Sequence, residues 1–150
     1  FGVDLVAVPE GISAAIVDLS PVDINLPNDV RNKLEKMQVP KFFQPRPLPS
    51  WGEIFSPYVC FIRPVNKEEE LLFLELIDNY LITIIEHGKY LIPDSSQSPT
   101  SIKRYQRQKF YCQQQKRNDK TRNVLAKTFN PVWAERYIDM VLFDIPSLDH

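Results

Sequence analysis

The sequence predicts an α+β fold with an antiparallel sheet, on three observations. Its strand-like runs come early, its helix-period runs come late, and the first two strands read as a hairpin. Residues 2–8, rich in Val and Leu, and the apolar run 12–19 flank the turn signal Pro9-Glu10-Gly11. Asn28 is placed to cap a short helix over 29–37. Beyond it Pro40, Pro45, Pro47 and Pro49 forbid regular helix and favour an extended, semi-rigid connection that ends at Trp51-Gly52. Residues 58–62 read as a third strand, stopped by Arg63-Pro64. Asn66, followed three residues later by Glu69, is the capping signature of a long helix that Gly88 terminates. Within it Leu74, Ile77, Leu81, Ile84 and Ile85 recur at helical spacing and predict the buried stripe, leaving Glu68, Glu75, Asp78 and Glu86 for other faces. Residues 93–99 form a serine-containing loop, a second helical region spans 101–128 with a local break at Asn118-Asp119, and Pro131 opens a terminal helix to about residue 143.

Composition narrows the function. The 150 residues are 43% hydrophobic with a formal net charge of -1, which suits one soluble globular domain and argues against nucleic acid as the default partner. The run 71–85 is broken by Glu75, Asp78 and Asn79 and falls short of the roughly 20 apolar residues of a spanning helix, so no membrane partner is expected. Cys60 and Cys112 form no C-x-x-C pair, which suggests neither a disulfide framework nor a zinc site and fits a reducing, cytoplasmic compartment. His87 and His150 leave little scope for metal ligation or His-based triads, and neither phosphate-binding glycine motif occurs, so any redox cofactor is not bound through such a cradle. The chain opens on Phe1 inside a strand, without an initiator Met or a signal peptide, from which a missing N-terminal portion is expected.

Four features have chemical potential. Asp4 interrupts an apolar strand; with period 2 it shares a face with Gly2 and Val6, and if that face is covered its pKa rises and it becomes a candidate general acid. Alternatively it faces solvent or pairs structurally. Residues 103–123 carry Lys103, Arg104, Arg107, Lys109, Lys116, Arg117, Lys120 and Arg122 against the single acid Asp119. Arg104, Arg107, and Lys116 with Lys120, are spaced to form basic stripes that dock an anion or an acidic protein; a solvated helix face and RNA binding through Tyr105, Phe110 and Tyr111 are the other readings. Arg46, held among prolines, suits a ligand carboxylate or a structural salt bridge, and Trp51 a binding cavity or the core.

Four ordered blocks then share one resemblance. Phe1-Gly2-Val3-Asp4, Gly11-Ile12-Ser13-Ala14-Ala15-Ile16-Val17-Asp18-Leu19-Ser20-Pro21, Leu48-Pro49-Ser50-Trp51-Gly52-Glu53-Ile54-Phe55-Ser56, and Asn118-Asp119-Lys120-Thr121-Arg122 through Trp133-Ala134-Glu135-Arg136-Tyr137 resemble the ferredoxin-dependent bilin reductases over nearly the whole chain. The Ile12-Ser13-Ala14-Ala15 run, and Asn118 where several subfamilies carry Asp, look most like the members that make phycocyanobilin. The resemblance implies a three-layer α/β/α sandwich around a central antiparallel sheet, with biliverdin IXα held between the sheet and the C-terminal helices. It implies single electrons taken from reduced ferredoxin as external donor, through bilin radicals, with neither metal nor flavin. Carried over residue by residue, Asp4 is the proton-donating aspartate, Ser13 and Arg46 bind propionates, and Trp51 lines the cavity. Lys120 lies at the propionate side and the ferredoxin entrance, and Gln115, Asn118 and Val124 face the bilin from the helices. The basic segment then meets an acidic ferredoxin. The phycocyanobilin-forming members also use a glutamate and a histidine from strands preceding the aspartate strand; no such strands are present, and His87, at a helix end, is no substitute. Residues 1–150 are therefore expected to be the C-terminal part of a single bilin reductase domain, its N-terminal strands missing. A two-electron bilin reductase making dihydrobiliverdin or phytochromobilin, a bilin carrier without turnover, and a basic protein-interaction domain are the rival readings.

Overall fold

The computed structural model describes residues 1–145. The chain forms two compact units, Phe1–Pro93 and Asp94–His150. The first holds β1 (Gly2–Val8), β2 (Gly11–Asp18), α1 (Asn28–Lys36), a 3-10 turn (Gly52–Ile54), β3 (Cys60–Ile62) and α2 (Lys67–Gly88). The second holds α3 (Pro99–Gln115), α4 (Asp119–Thr128) and α5 (Pro131–Tyr137), the last continuing into a π turn (Ile138–Leu142). The fold is α+β, as expected, with an antiparallel sheet in the order β1-β2-β3.

The hairpin forms where the turn signal stands. Gly11 adopts φ +130°, a conformation that a side chain rarely tolerates, and a Cβ there would approach Glu70 Oε1 to 3.0 Å. Glu70 accepts from the Ile12 N–H at 3.1 Å and pairs with Lys67 at 2.9 Å, so it ties the turn to α2. Pairing runs Val3 with Val17, Asp4 with Ile16, Leu5 with Ala15 and Val6 with Ala14, then shifts so that Ala7 faces Ile12. Ser13 is thereby the extra residue of a β-bulge.

Ala15, Val17 and Ile62 form the sheet's inner face and pack on Val30 and Leu34 of α1 and on Phe73, Leu76 and Tyr80 of α2. Burying each large side chain contributes about 1.5–3 kcal/mol, so this contact dominates the unit's stability. The buried stripe of α2 differs from the expected one. Phe73, Leu76, Tyr80 and Thr83 are inside, Ile77 and Ile84 lie at the margin, and Leu74, Leu81 and Ile85 stay 44%, 37% and 49% exposed. Apolar residues occupy more than one face of this helix, so periodicity leaves its rotation open. Large side chains that also satisfy their polar atoms settle it: the Tyr80 hydroxyl donates to the Tyr58 carbonyl at 2.5 Å.

Helix ends also show corrections. Pro27, not Asn28, occupies the cap position of α1; Asn28 is its first helical residue. Asn66 caps α2 as expected, accepting from the Glu69 N–H at 2.9 Å. The Glu69 carboxylate does not return to Asn66. It is buried and accepts from the Phe43 N–H at 2.8 Å and the Val65 N–H at 2.9 Å, anchoring the proline-rich connection. Gly88 ends α2 as its last helical residue, and Lys89 follows in right-handed helical conformation, so no left-handed glycine cap is used.

In the second unit the predicted break falls at 116–118, between α3 and α4. Ser98, Asn118 and Asn130 each accept a backbone N–H at a helix start, and Pro99 and Pro131 stand in the first turns of α3 and α5. Among the described residues no helix is long and apolar enough to cross a membrane.

Candidate functional site

Alternation along three strands decides which side chains share the sheet face turned away from α1 and α2. Ala15, Val17 and Ile62 point to the core, so Asp4, Ile16 and Phe61 point the other way. These three are direct cross-strand neighbours: Asp4 pairs with Ile16, and Ile16 with Phe61. The proline-rich connection then adds a fourth extended segment. Pro45 bridges Ile62, and the Arg46 N–H donates to the Phe61 carbonyl at 2.8 Å. The Arg46 guanidinium carbon lies 5.8 Å from the Phe61 ring centroid, within cation–π reach. One row thus runs Asp4, Ile16, Phe61, Arg46, a carboxyl at one end and a guanidinium toward the other.

Desolvation pushes the Asp4 carboxyl above the usual carboxylate range. Asp4 is exposed on β1, so water screens its charge in part. Ser13, in the bulge, donates its hydroxyl to the Val6 carbonyl at 3.0 Å. That uses the side chain's one O–H; a propionate contact requires the hydroxyl to rotate away.

Trp51 is half-buried and tilted against Phe55 with centroids 6.0 Å apart. Its neighbour Gly52 meets Leu48 so closely that an added Cβ would come within 2.9 Å of the Leu48 Cβ. After the turn, Ser56 is clamped by Asp18. This buried carboxylate accepts from the Ser56 N–H at 3.0 Å, the Ser56 hydroxyl at 2.5 Å and the Ser20 hydroxyl at 2.6 Å. Neither Asp18 nor Phe61 stands out in the sequence as a site residue. The available signals were a carboxylate closing an apolar strand, next to serines, and an aromatic alternating with core residues.

In the helical unit Gln115 ends α3 and donates to the Tyr111 hydroxyl at 2.8 Å, while Asn118 caps α4 by accepting from the Thr121 N–H at 3.3 Å. Lys120 and Val124 are exposed one turn apart on α4. The expected basic stripes are only partly present. The turn at 116–118 separates Lys116 from Lys120, and several cations serve the unit itself: Arg104 pairs with Asp94, Lys116 with Asp139, and Arg122 with Asp119 and Glu135. Among the described residues no group of three or more His, Cys, Asp or Glu side chains is arranged to hold a metal. Burial pushes the Cys60 thiol up to about 11, which keeps it protonated and unreactive at neutral pH. His87 binds Asp29 through Nδ1 at 2.7 Å, joining the ends of α2 and α1; His150 lies outside the described residues.

The family described as ferredoxin-dependent bilin reductase matches residues 1–144. A protein of Prochlorococcus marinus called phycocyanobilin:ferredoxin oxidoreductase is 55% identical over 146 residues, 97% of this chain and 59% of its own length. Proteins of the same name from a Synechococcus species and from Trichodesmium erythraeum are 52% and 43% identical, across 97% and 98% of this chain. The chain spans 59% and 60% of their respective lengths.

Proposed function

The chain belongs to the ferredoxin-dependent bilin reductase family, and on that premise we propose that its protein reduces biliverdin IXα to phycocyanobilin. Reduced ferredoxin, external to the protein, supplies four electrons singly, and four protons enter with them, so the added atoms amount to four hydrogens. The polypeptide's task is then to bind the linear tetrapyrrole and deliver protons to chosen carbons. The observation that carries this reading is the row on one sheet face, with a carboxyl and a guanidinium two to three strand spacings apart.

In this reading Asp4 gives a proton to the bilin and is recharged from solvent, which its raised pKa favours. Arg46 takes a propionate, with Ser13 joining once its hydroxyl turns from Val6. Trp51 lines the cavity from a turn locked by Gly52 and the Asp18 clamp. The family resemblance also assigns Gln115, Asn118 and Val124 to the bilin; Gln115 ends α3, Asn118 caps α4 and Val124 lies within α4. Exposed Lys120 suits both a propionate and an acidic electron donor, and a reducing cytoplasm suits the donor.

The test is an absorbance titration with biliverdin, on the chain alone and extended upstream with a relative's N-terminal region, followed by reduced ferredoxin under anaerobic conditions. Binding, replacement of the long-wavelength band by product absorption, and loss of that turnover in Asp4→Asn are expected. A stable bilin band after reduced ferredoxin would select a carrier instead, and no bilin binding by either form would overturn the reading.

A further inference from the structure

Phe61 stands out because its surroundings do not explain it as a core residue. Its neighbours Cys60 and Ile62 pack with the cluster between sheet and helices; Phe61, alternating with them, is half-buried on the opposite face. What it does touch is Arg46, from two directions. The backbone is fixed by the 2.8 Å bond from the Arg46 N–H to the Phe61 carbonyl, and the guanidinium carbon sits 5.8 Å from the ring centroid. Pro45 and Pro47 restrict the segment on either side of Arg46. Among the described residues no carboxylate pairs with this arginine. A guanidinium resting on an aromatic face keeps its N–H edge for a planar bidentate acceptor, such as a carboxylate.

We infer that Phe61 is a positioning residue: its ring holds the Arg46 guanidinium against the sheet and thereby sets where a ligand's carboxylate lies relative to Asp4. The spacing follows from the fold. Asp4, Ile16 and Phe61 occupy adjacent strands, so two inter-strand steps of about 4.8 Å put roughly 10 Å of apolar floor between the proton donor and the ring beneath the guanidinium. A flat, conjugated ligand with a flexible carboxylate arm fits that floor. This rests on the bilin reading and deepens it: Asp4 chooses the atoms to be protonated only if the carboxylate arm is held in register.

The experiment compares biliverdin, carboxylates free, with its dimethyl ester, carboxylates capped, using whichever form of the protein binds the pigment. The parent is expected to prefer the free acid. Phe61→Leu should reduce that preference about five- to tenfold through loss of the cation–π contact, with affinity for the ester held within about twofold. Phe61→Tyr, which retains the ring, should retain the preference, and Phe61→Ile takes the place of the leucine variant if that variant does not fold. If either aliphatic variant keeps the preference, or weakens acid and ester equally, Phe61 is only floor or fold and the inference is overturned. A parent that binds acid and ester equally also overturns it, while leaving bilin binding intact. A parent that binds neither pigment sinks the bilin reading and this inference together.

Discussion

In the unit Phe1–Pro93 one sheet face and two helices keep water from Ala15, Val17, Val30, Phe73, Leu76 and Tyr80, whereas in Asp94–His150 the buried residues among those described are Ala134 and Ile138. The first unit is held by apolar area; the second is held by caps at three helix starts and by ion pairs such as Arg122 with Glu135 at 2.6 Å. Exposed ion pairs contribute about 0–1 kcal/mol each, less than one buried aromatic ring. The difference teaches where rigid chemistry can be placed. Asp4 and Phe61 stand on strands, and Arg46 on a segment bridged to β3, all backed through β2 and β3 by the core, while Gln115 and Asn118 sit at a corner between helices with no buried residue of their own.

Substitutions break or sharpen this contrast. Phe73→Ala removes a fully buried ring and should destabilise the first unit by about 3–5 kcal/mol, read as a lowered denaturant midpoint. A loss below about 1 kcal/mol would mean that the core is not what holds the sheet. Asp18→Ala leaves the Ser56 N–H and two serine hydroxyls without their acceptor, for about 2–3 kcal/mol. It should also change the fluorescence of Trp51, whose turn it anchors; an unaltered spectrum would separate the clamp from the tryptophan.

In the helical unit the largest single effect should be smaller. Asn118→Ala removes the α4 cap and costs about 1 kcal/mol, measurable as lost helical circular dichroism on heating. Asn118→Asp keeps a capping oxygen, so it should fold as the parent does. A changed product distribution in that variant reports chemistry rather than stability, and an unchanged one counts against Asn118 as a determinant of product.

The smallest effect should be Asp4→Asn, and its sign depends on pH. Because the folded-state pKa is raised, the native protein holds the Asp4 proton more tightly than the unfolded chain. Below the ordinary carboxylate value of about 3.9 both states are protonated and no penalty exists. As pH rises through that value and then through the raised one, the penalty grows and levels off. Asp4→Asn should therefore be slightly stabilising near neutral pH and lose that advantage in acid. A constant difference across pH would show that Asp4 is not desolvated.

Much of this was legible in the sequence because it is local. The hairpin turn requires a glycine at a positive φ, and Gly11 follows Pro9-Glu10. Asn66 caps α2, Asn118 marks the break between α3 and α4, and Pro131 opens α5, each through contacts within about four residues. Asp4 and Arg46 stand out as candidates from the residues, the family resemblance gives them roles, and the sheet register gives them one face. Elsewhere the sequence misleads. Asn28 has cap chemistry, yet Pro27 occupies the cap position; spacing alone does not fix the buried stripe of α2; and several basic residues of 103–123 are neutralised by the acids Asp94, Glu135 and Asp139, which lie outside that run.

By itself, then, the sequence determined that two strands turn on Gly11, that a long helix begins after Asn66, and that a carboxyl interrupts an apolar strand. Those outcomes depend on φ preferences, orphan N–H groups and side-chain alternation, which act over one turn or one pleat. Only the tertiary structure decided which face of α2 is buried, that Glu69 and Asp18 bind backbone N–H groups of distant loops, and that Asp4, Ile16, Phe61 and Arg46 form one row. Strand register and helix rotation are fixed by packing between segments tens of residues apart, and no local preference carries that information.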